Sequence, residues 1–239
     1  MSIAFDASVA ADNSPGYSST TVTWSHTCTG SNRILFVHVR GDTSDNVTGV
    51  TYAGVSMTLI DKVFVATNRW QYLFYLIAPA TGSNSCIATA STSIAFLVES
   101  ASYTGARQSG QPDSKATNTG SSVTTLTFTT TTVADNCWMI LAVGASNGGL
   151  TASTGSFLRR IGTNTGSAIF DSNSALTPAG SKSMIVNCTS GAINGIIASF
   201  SPPSIGPANL KSYNTNLKAN IKSIDTNLIA NIKSINTNA

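Results

Sequence analysis

Polar and apolar residues alternate with a period of two through most of the first 200 residues, interrupted by short Gly, Asn and Pro clusters. Thr20 to Thr27 reads Thr-Thr-Val-Thr-Trp-Ser-His-Thr, and Val123 to Thr131 sets Val, Leu and Phe among threonines. This pattern predicts half-buried strands with a Thr-clad outer face, on which His26 alternates outward beside Trp24. Ile34–Val39 and Trp138–Val143 are nearly continuous apolar runs, as expected of central strands covered on both faces. Further strands are predicted at 47–52, 56–60, 70–77, 85–90, 94–103, 157–162, 168–171, 183–188 and 192–200. Helix signals are missing from this body.

The two halves repeat one order of features. A Thr-rich strand, an Asn-containing turn and an apolar strand occur at 20–39 and again at 123–143. Ala78-Pro-Ala-Thr-Gly82 then precedes Cys86, as Thr177-Pro-Ala-Gly180 precedes Cys188. Either half alone would leave open sheet edges. The expectation is therefore an all-β fold: one double-layered, jelly-roll-like antiparallel β-sandwich over 1–201 with pseudo-duplicated halves.

Ser201-Pro-Pro-Ser-Ile-Gly-Pro207 stops both ladder and helix and reads as a linker over 202–207. Beyond it, residues 208–239 carry an 11-residue repeat, Ser212 to Lys222 and Ser223 to Lys233. Its apolar residues are Leu210, Tyr213, Leu217, Ile221, Ile224, Leu228, Ile232 and Ile235, spaced 3-4-4-3-4-4-3. Such a period suits a right-handed helical supercoil, whereas the Asn, Ser and Thr content suits short strands joined by turns. In either form the stripe is too small to bury alone. Homo-oligomer assembly, a trimer, is the leading expectation, with docking on the body or a free tail as alternatives.

Charge excludes several classes of partner. Residues 1–206 hold nine basic and nine acidic side chains, and the net charge of +3 comes from four tail lysines facing Asp225. No basic stripe for nucleic acid is present. No apolar run approaches the roughly 18 residues of a membrane span, so no membrane association is expected. The N-terminus lacks a secretory signal pattern, pointing to synthesis in a cytoplasm.

Chemistry is sparse. There are two histidines, and Cys28, Cys86, Cys137 and Cys188 form no C-x-x-C pair, so no zinc site or other cofactor is expected. The cysteines read as buried thiols. Glu99 is the one acid inside a convincing strand, more simply a hydrogen-bonding group than a catalyst. Asp42, Asp45 and Asn46 could offer oxygens to calcium, but nothing approaches an EF-hand spacing and turn capping is the better account. Arg40-Gly-Asp42 is a short adhesion-type match best ascribed to chance. Tyr17 and Trp70 are the candidate glycan contacts, and no catalytic residue is nominated.

Gly30-Ser-Asn-Arg-Ile-Leu-Phe-Val37, Val50-Thr-Tyr-Ala-Gly-Val-Ser-Met-Thr58, Leu73-Phe-Tyr-Leu-Ile-Ala-Pro-Ala-Thr-Gly82 and Ala101-Ser-Tyr-Thr-Gly-Ala-Arg-Gln108 resemble, in that order, a β-sandwich module of tailed-phage structural proteins, also seen in bacterial surface proteins. The tail resembles Ala-Asn-Ile-Lys-Ser-Ile-Asn-Gly repeats that end many phage structural proteins, with Thr in place of the usual Gly. The resemblance implies a non-enzymatic virion structural protein, capsid-decorating, fibre-like or tail-associated, located in the virion among other virion proteins. The alternative is a glycan-binding adhesin module on a virion or cell surface, with a host surface glycan as partner.

Overall fold

A computed structural model describes residues 2–12, 18–65, 69–163 and 165–203. The chain divides after Pro203. Tyr17 and the eight apolar tail residues, Leu210 to Ile235, lie outside the described residues, as do the linker beyond Pro203 and the repeat itself.

The first half contains β1 (Ala4–Asp12), β2 (Ser19–Cys28), β3 (Ile34–Arg40), β4 (Val47–Tyr52), β5 (Val55–Ser56), β6 (Thr58–Val63), β7 (Gln71–Ile77), β8 (Gly82–Ile94) and β9 (Leu97–Thr104). The second contains β10 (Ser114–Thr132), β11 (Trp138–Ala145), β12 (Thr151–Ala152), β13 (Phe157–Ile161), β14 (Ser167–Asp171) and β15 (Gly180–Phe200). The body is all-β with antiparallel sheets, as the alternation predicts. No helix among the described residues is long and apolar enough to cross a membrane.

In the first half, a sheet ordered β1-β9-β3-β7-β6 packs on a second ordered β2-β8-β4-β5. The second half repeats this plan with fewer strands, of which β10 and β15 are long, in the order β10-β15-β11-β14-β13, with β12 also on β15. Register shifts between Gly120 and Thr125 divide β10 in two. Its first part pairs with Ile193–Ser199 and its second with Gly180–Asn187. The two parts of β10 thus correspond to β1 and β2, and the two parts of β15 to β8 and β9. By pairing, β11 corresponds to β3, β14 to β7, β13 to β6 and β12 to β4.

The core lies in three layers rather than the one expected of a double-layered domain. Leu35, Val37 and Val39 of β3 join Val22, Trp24, Tyr52 and Ala88 between the two sheets of the first half. The alternate residues Ile34 and Phe36 face Trp138, Ile140, Ile196 and Phe200 of the second half. The other face of β11, with Met139, Leu141 and Val143, is covered by Phe128, Met184 and Val186 from the outer parts of β10 and β15. Each large side chain fully buried in this way contributes about 1.5–3 kcal/mol. β3 and β11 are buried along their whole length, which is why their sequences carry almost no polar positions.

The facing sheets run in opposite orders. At one edge Ser8 Oγ of β1 donates to the Arg159 carbonyl of β13 at 3.1 Å. At the other, Lys115 of β10 pairs with Asp61 of β6 at 3.1 Å. The strand correspondence exchanges these two contacts, so the halves are related by an approximate two-fold axis passing between β3 and β11.

Candidate functional site

Among the described residues, one group of chemically active side chains lies between the halves. His38 on β3 and Glu99 on β9 are register partners, and His38 Nδ1 is 2.8 Å from Glu99 Oε2. His38 Nε2 is 2.9 Å from Gln71 Oε1 on β7, and Ser167 Oγ on β14 donates to Glu99 Oε1 at 2.5 Å. The second half accommodates this cluster with small residues. A Cβ on Gly162 would lie 2.4 Å from Glu99 Oε1.

Serine, histidine and glutamate are the residue types of acyl-transfer catalysis, but their connectivity here differs. A nucleophile must give its proton to the histidine. Ser167 donates instead to the carboxylate, and Ser167, His38, Glu99 and Gln71 are all fully buried. The cluster serves as a satisfied polar tie between halves. Arg40 extends it, donating from Nη1 to the Gly166 carbonyl at 3.0 Å. Burial, with the like charge of Arg69, pushes its guanidinium pKa down to about 10.

The other histidine faces inward, not outward as the alternation suggested, because it shares the parity of Trp24 rather than of the threonines. His26 Nδ1 is 2.8 Å from Ser100 Oγ and Nε2 is 2.9 Å from Ser102 Oγ. Trp24 Nε1 donates to Ser100 Oγ, and Ser102 Oγ to Asp6 Oδ2. Burial pushes the His26 pKa down to about 4, with Asp6 opposing, so the ring is neutral near pH 7. Its contacts form a Ser–His pair of hydrogen-bonding length, but no solvent reaches the ring.

A third cluster joins the halves at β9, β13 and β14. Tyr103 OH donates to Asp171 Oδ2 at 2.8 Å, and Arg159 Nε donates to the same oxygen at 2.5 Å. Burial raises the Asp171 pKa while Arg159 and Tyr103 act in the opposite direction. The Arg159 guanidinium also lies over the rings of Phe5 and Phe157, at 4.4 and 4.5 Å.

Calcium ligation finds no support at 42–46: Asp45 pairs with Lys62 and accepts from Tyr72 OH, Asp42 is 3.6 Å from Arg69, and Asn46 is buried. No group of three metal-ligating side chains occurs among the described residues. Arg40 of the Arg-Gly-Asp match is buried and presents no adhesion loop. The four cysteines are buried free thiols.

Trp70 is half-buried, with Phe64 stacked at 5.4 Å and the Lys62 ammonium 5.5 Å from its ring centre. It therefore offers no open platform, and Phe64 is the more exposed ring of the pair. An open groove of about 490 Å³ runs along Leu158–Ile161 to Thr165, and another of about 340 Å³ lies between Thr58–Ile60 and Pro112–Lys115. Neither contains a histidine or a cysteine.

What remains exposed and regular is the outer sheet of each half. On β2 the outward side chains are Thr21, Thr23, Ser25 and Thr27, paired in register with Thr89, Ile87, Ser85 and Ser83 of β8. On the second part of β10 they are Thr125, Thr127, Thr129 and Thr131, paired with Asn187, Ile185, Ser183 and Ser181 of β15. The sequence shows a Thr-clad face, but only strand register reveals that the two faces carry similar residues at corresponding positions. Comparisons with protein-family models, with curated proteins and with solved structures found no match.

Proposed function

We propose that this chain is a non-enzymatic structural subunit of a tailed-phage virion, capsid-decorating, fibre-like or tail-associated, which self-assembles through its C-terminal repeat. The observation that carries this reading is the nesting of strand pairs. β1 pairs with β9, β2 with β8, β3 with β7 and β4 with β5, which is a long hairpin rolled into two sheets. We read this nesting as jelly-roll-like, and the second half follows the same plan. Jelly rolls are a recurrent architecture of viral capsid and lectin domains.

The polar chemistry supports a structural role. His38, Glu99, Ser167 and Gln71 tie the halves together in a site that no substrate reaches. The eight-residue apolar stripe from Leu210 to Ile235 supplies an assembly element beyond a body whose core is complete. The covered ring of Trp70 gives the adhesin alternative no aromatic platform at that position.

Mass spectrometry of gradient-purified particles from the source culture tests this. Peptides of the chain at a constant ratio to a major capsid protein are expected. Their confinement to the particle-free fraction would overturn the reading.

A further inference from the structure

The chain contains two Asn-Gly dipeptides, Asn147-Gly148 and Asn194-Gly195, and the fold places them in opposite surroundings. An asparagine before glycine can cyclise on its own backbone, because no side chain on the next residue keeps its amide nitrogen from the carboxamide carbon. Asn194 is fully buried in β15, and its Nδ2 donates to the carbonyls of Val63 and Arg69 at 3.1 and 3.0 Å. Gly195 is paired on both sides, with Val143 and with Asn118. Ring closure there would require the Asn194–Gly195 peptide to turn out of both ladders.

Asn147 is exposed, in the turn that follows β11, and Gly148 and Gly149 after it have φ of 65° and 70°. Its Nδ2 donates to the Ser190 carbonyl at 2.6 Å. That bond belongs to a clasp between the turn and β15. The Ser146 amide donates to the Ala192 carbonyl at 2.8 Å, the Ala192 amide to Ser146 Oγ at 3.0 Å, and the Thr189 amide to the Gly148 carbonyl at 3.0 Å. The clasp grips β15 where it passes from the outer layer to the inner, at the register shift beside Gly191. The fit is close: a Cβ on Gly191 would lie 2.6 Å from Ser146 Oγ and 2.9 Å from Asn147 Nδ2.

We propose that Asn147 is a self-modification site whose conversion opens this clasp irreversibly. The Gly148 amide nitrogen attacks Asn147 Cγ and closes a succinimide ring; its proton passes to solvent base, and Nδ2 leaves as ammonia. Water then opens the ring at either carbonyl, giving aspartate or isoaspartate. The net change consumes one water and releases one ammonia. Both reacting groups belong to the same chain, so no catalyst is needed to bring them together.

Either product undoes the contact. Aspartate has only acceptors to offer the Ser190 carbonyl, so the donor is lost and two oxygens face each other. Isoaspartate also lengthens the backbone by one carbon ahead of Gly148. That residue has little room to shift, since a Cβ on it would lie 2.8 Å from Thr165 Oγ1. The inference concerns the body alone and does not rest on the virion reading.

The test ages the full chain in mildly alkaline buffer, then maps peptides by mass and labels isoaspartate with isoaspartyl methyltransferase. In the folded chain Asn147 should convert while Asn194 stays intact, and in denaturant the two should convert alike. Amide exchange at Thr189 and Ala192 should rise roughly tenfold in the aged chain as the clasp loses its bond. Asn147→Asp should show the same rise without ageing, and Asn147→Gln, which would have to close a larger ring, should leave the turn unmodified. The inference is overturned if Asn147 stays intact in the folded chain while converting in denaturant, or if Asn194 converts as fast as Asn147 in the folded chain. Unchanged exchange at Thr189 and Ala192 in both the aged chain and Asn147→Asp would overturn it as well.

Discussion

Gln71 of the first half fills the space that Gly144 of the second leaves open, so that a Cβ on Gly144 would lie 2.2 Å from Gln71 Nε2. Gln71 is held there by His38 on one side, and its Nε2 donates to the Arg69 carbonyl at 2.8 Å on the other. The approximate two-fold between halves is thus broken at this point of the interface: His38, Gln71 and Glu99 come from the first half and Gly144, Gly162 and Ser167 from the second. Gly144→Ala should therefore destabilise by overpacking, by about 1–3 kcal/mol. Urea denaturation measures this, and an unchanged midpoint would mean that the halves are less tightly fitted than described.

Glu99 accepts from both His38 and Ser167 in a site without water contact. Glu99→Ala removes two acceptors at once and should cost about 3–5 kcal/mol, because the partners stay buried. Glu99→Gln keeps the shape and one acceptor oxygen and should cost less. Thermal melts of the two variants should rank in that order.

His26 gives the body an acid-sensitive element. Its folded pKa of about 4 lies below the ordinary histidine value of 6.5, so between these values the unfolded chain binds the extra proton. The neutral ring's contribution is fully present above about pH 6.5 and is lost progressively as pH falls toward 4. The loss amounts to about 3 kcal/mol at most. Denaturation at a series of pH values should show this slope in the wild type and a shallower one in His26→Gln.

The cysteines should be inert in the folded chain. Burial pushes the Cys86 thiol up to about 12 and Cys137 up to about 11, and raises Cys28 and Cys188 as well. The thiolate is the reactive form. Ellman's reagent at neutral pH should report almost no rapid reaction natively and all four thiols in denaturant. Rapid native labelling would place at least one of them at the surface.

The strands were legible wherever burial left a signature. Ile34–Val39 and Trp138–Val143 read as central strands because a strand covered on both faces has almost no polar positions, and both sit third in a five-strand order. β1 was missed because Ala4–Asp12 is half-buried along nearly its whole length and Ala-rich, without alternation. The predicted strands at 183–188 and 192–200 are one strand, since β15 turns from the outer layer to the inner without leaving the ladder. Gly195 permits close packing there: a Cβ would meet the Ala142 carbonyl at 2.6 Å and the Phe128 ring at 2.9 Å. The predicted strand at 94–103 instead breaks after Ile94.

Side-chain placement was less legible than strand position. Polarity alone groups His26 with the outward Thr and Ser, although the parity of Trp24 points it inward. The tie of His38 and Glu99 to Ser167 joins strands far apart in sequence, and nothing local to any of them announces it. Tyr17 and the apolar stripe of the tail, nominated on sequence grounds, lie outside the described residues.

The central claim is that the C-terminal repeat assembles copies of the chain, and particle mass tests it most directly. Sedimentation equilibrium should give the intact chain as a discrete homo-oligomer, a trimer in the leading reading. Truncation after Gly206 should give a folded monomer, and Ile224→Asp with Leu228→Asp should weaken assembly by placing charge in the apolar seam. An intact chain that sediments as a monomer, or identical masses for intact and truncated chains, would contradict the account.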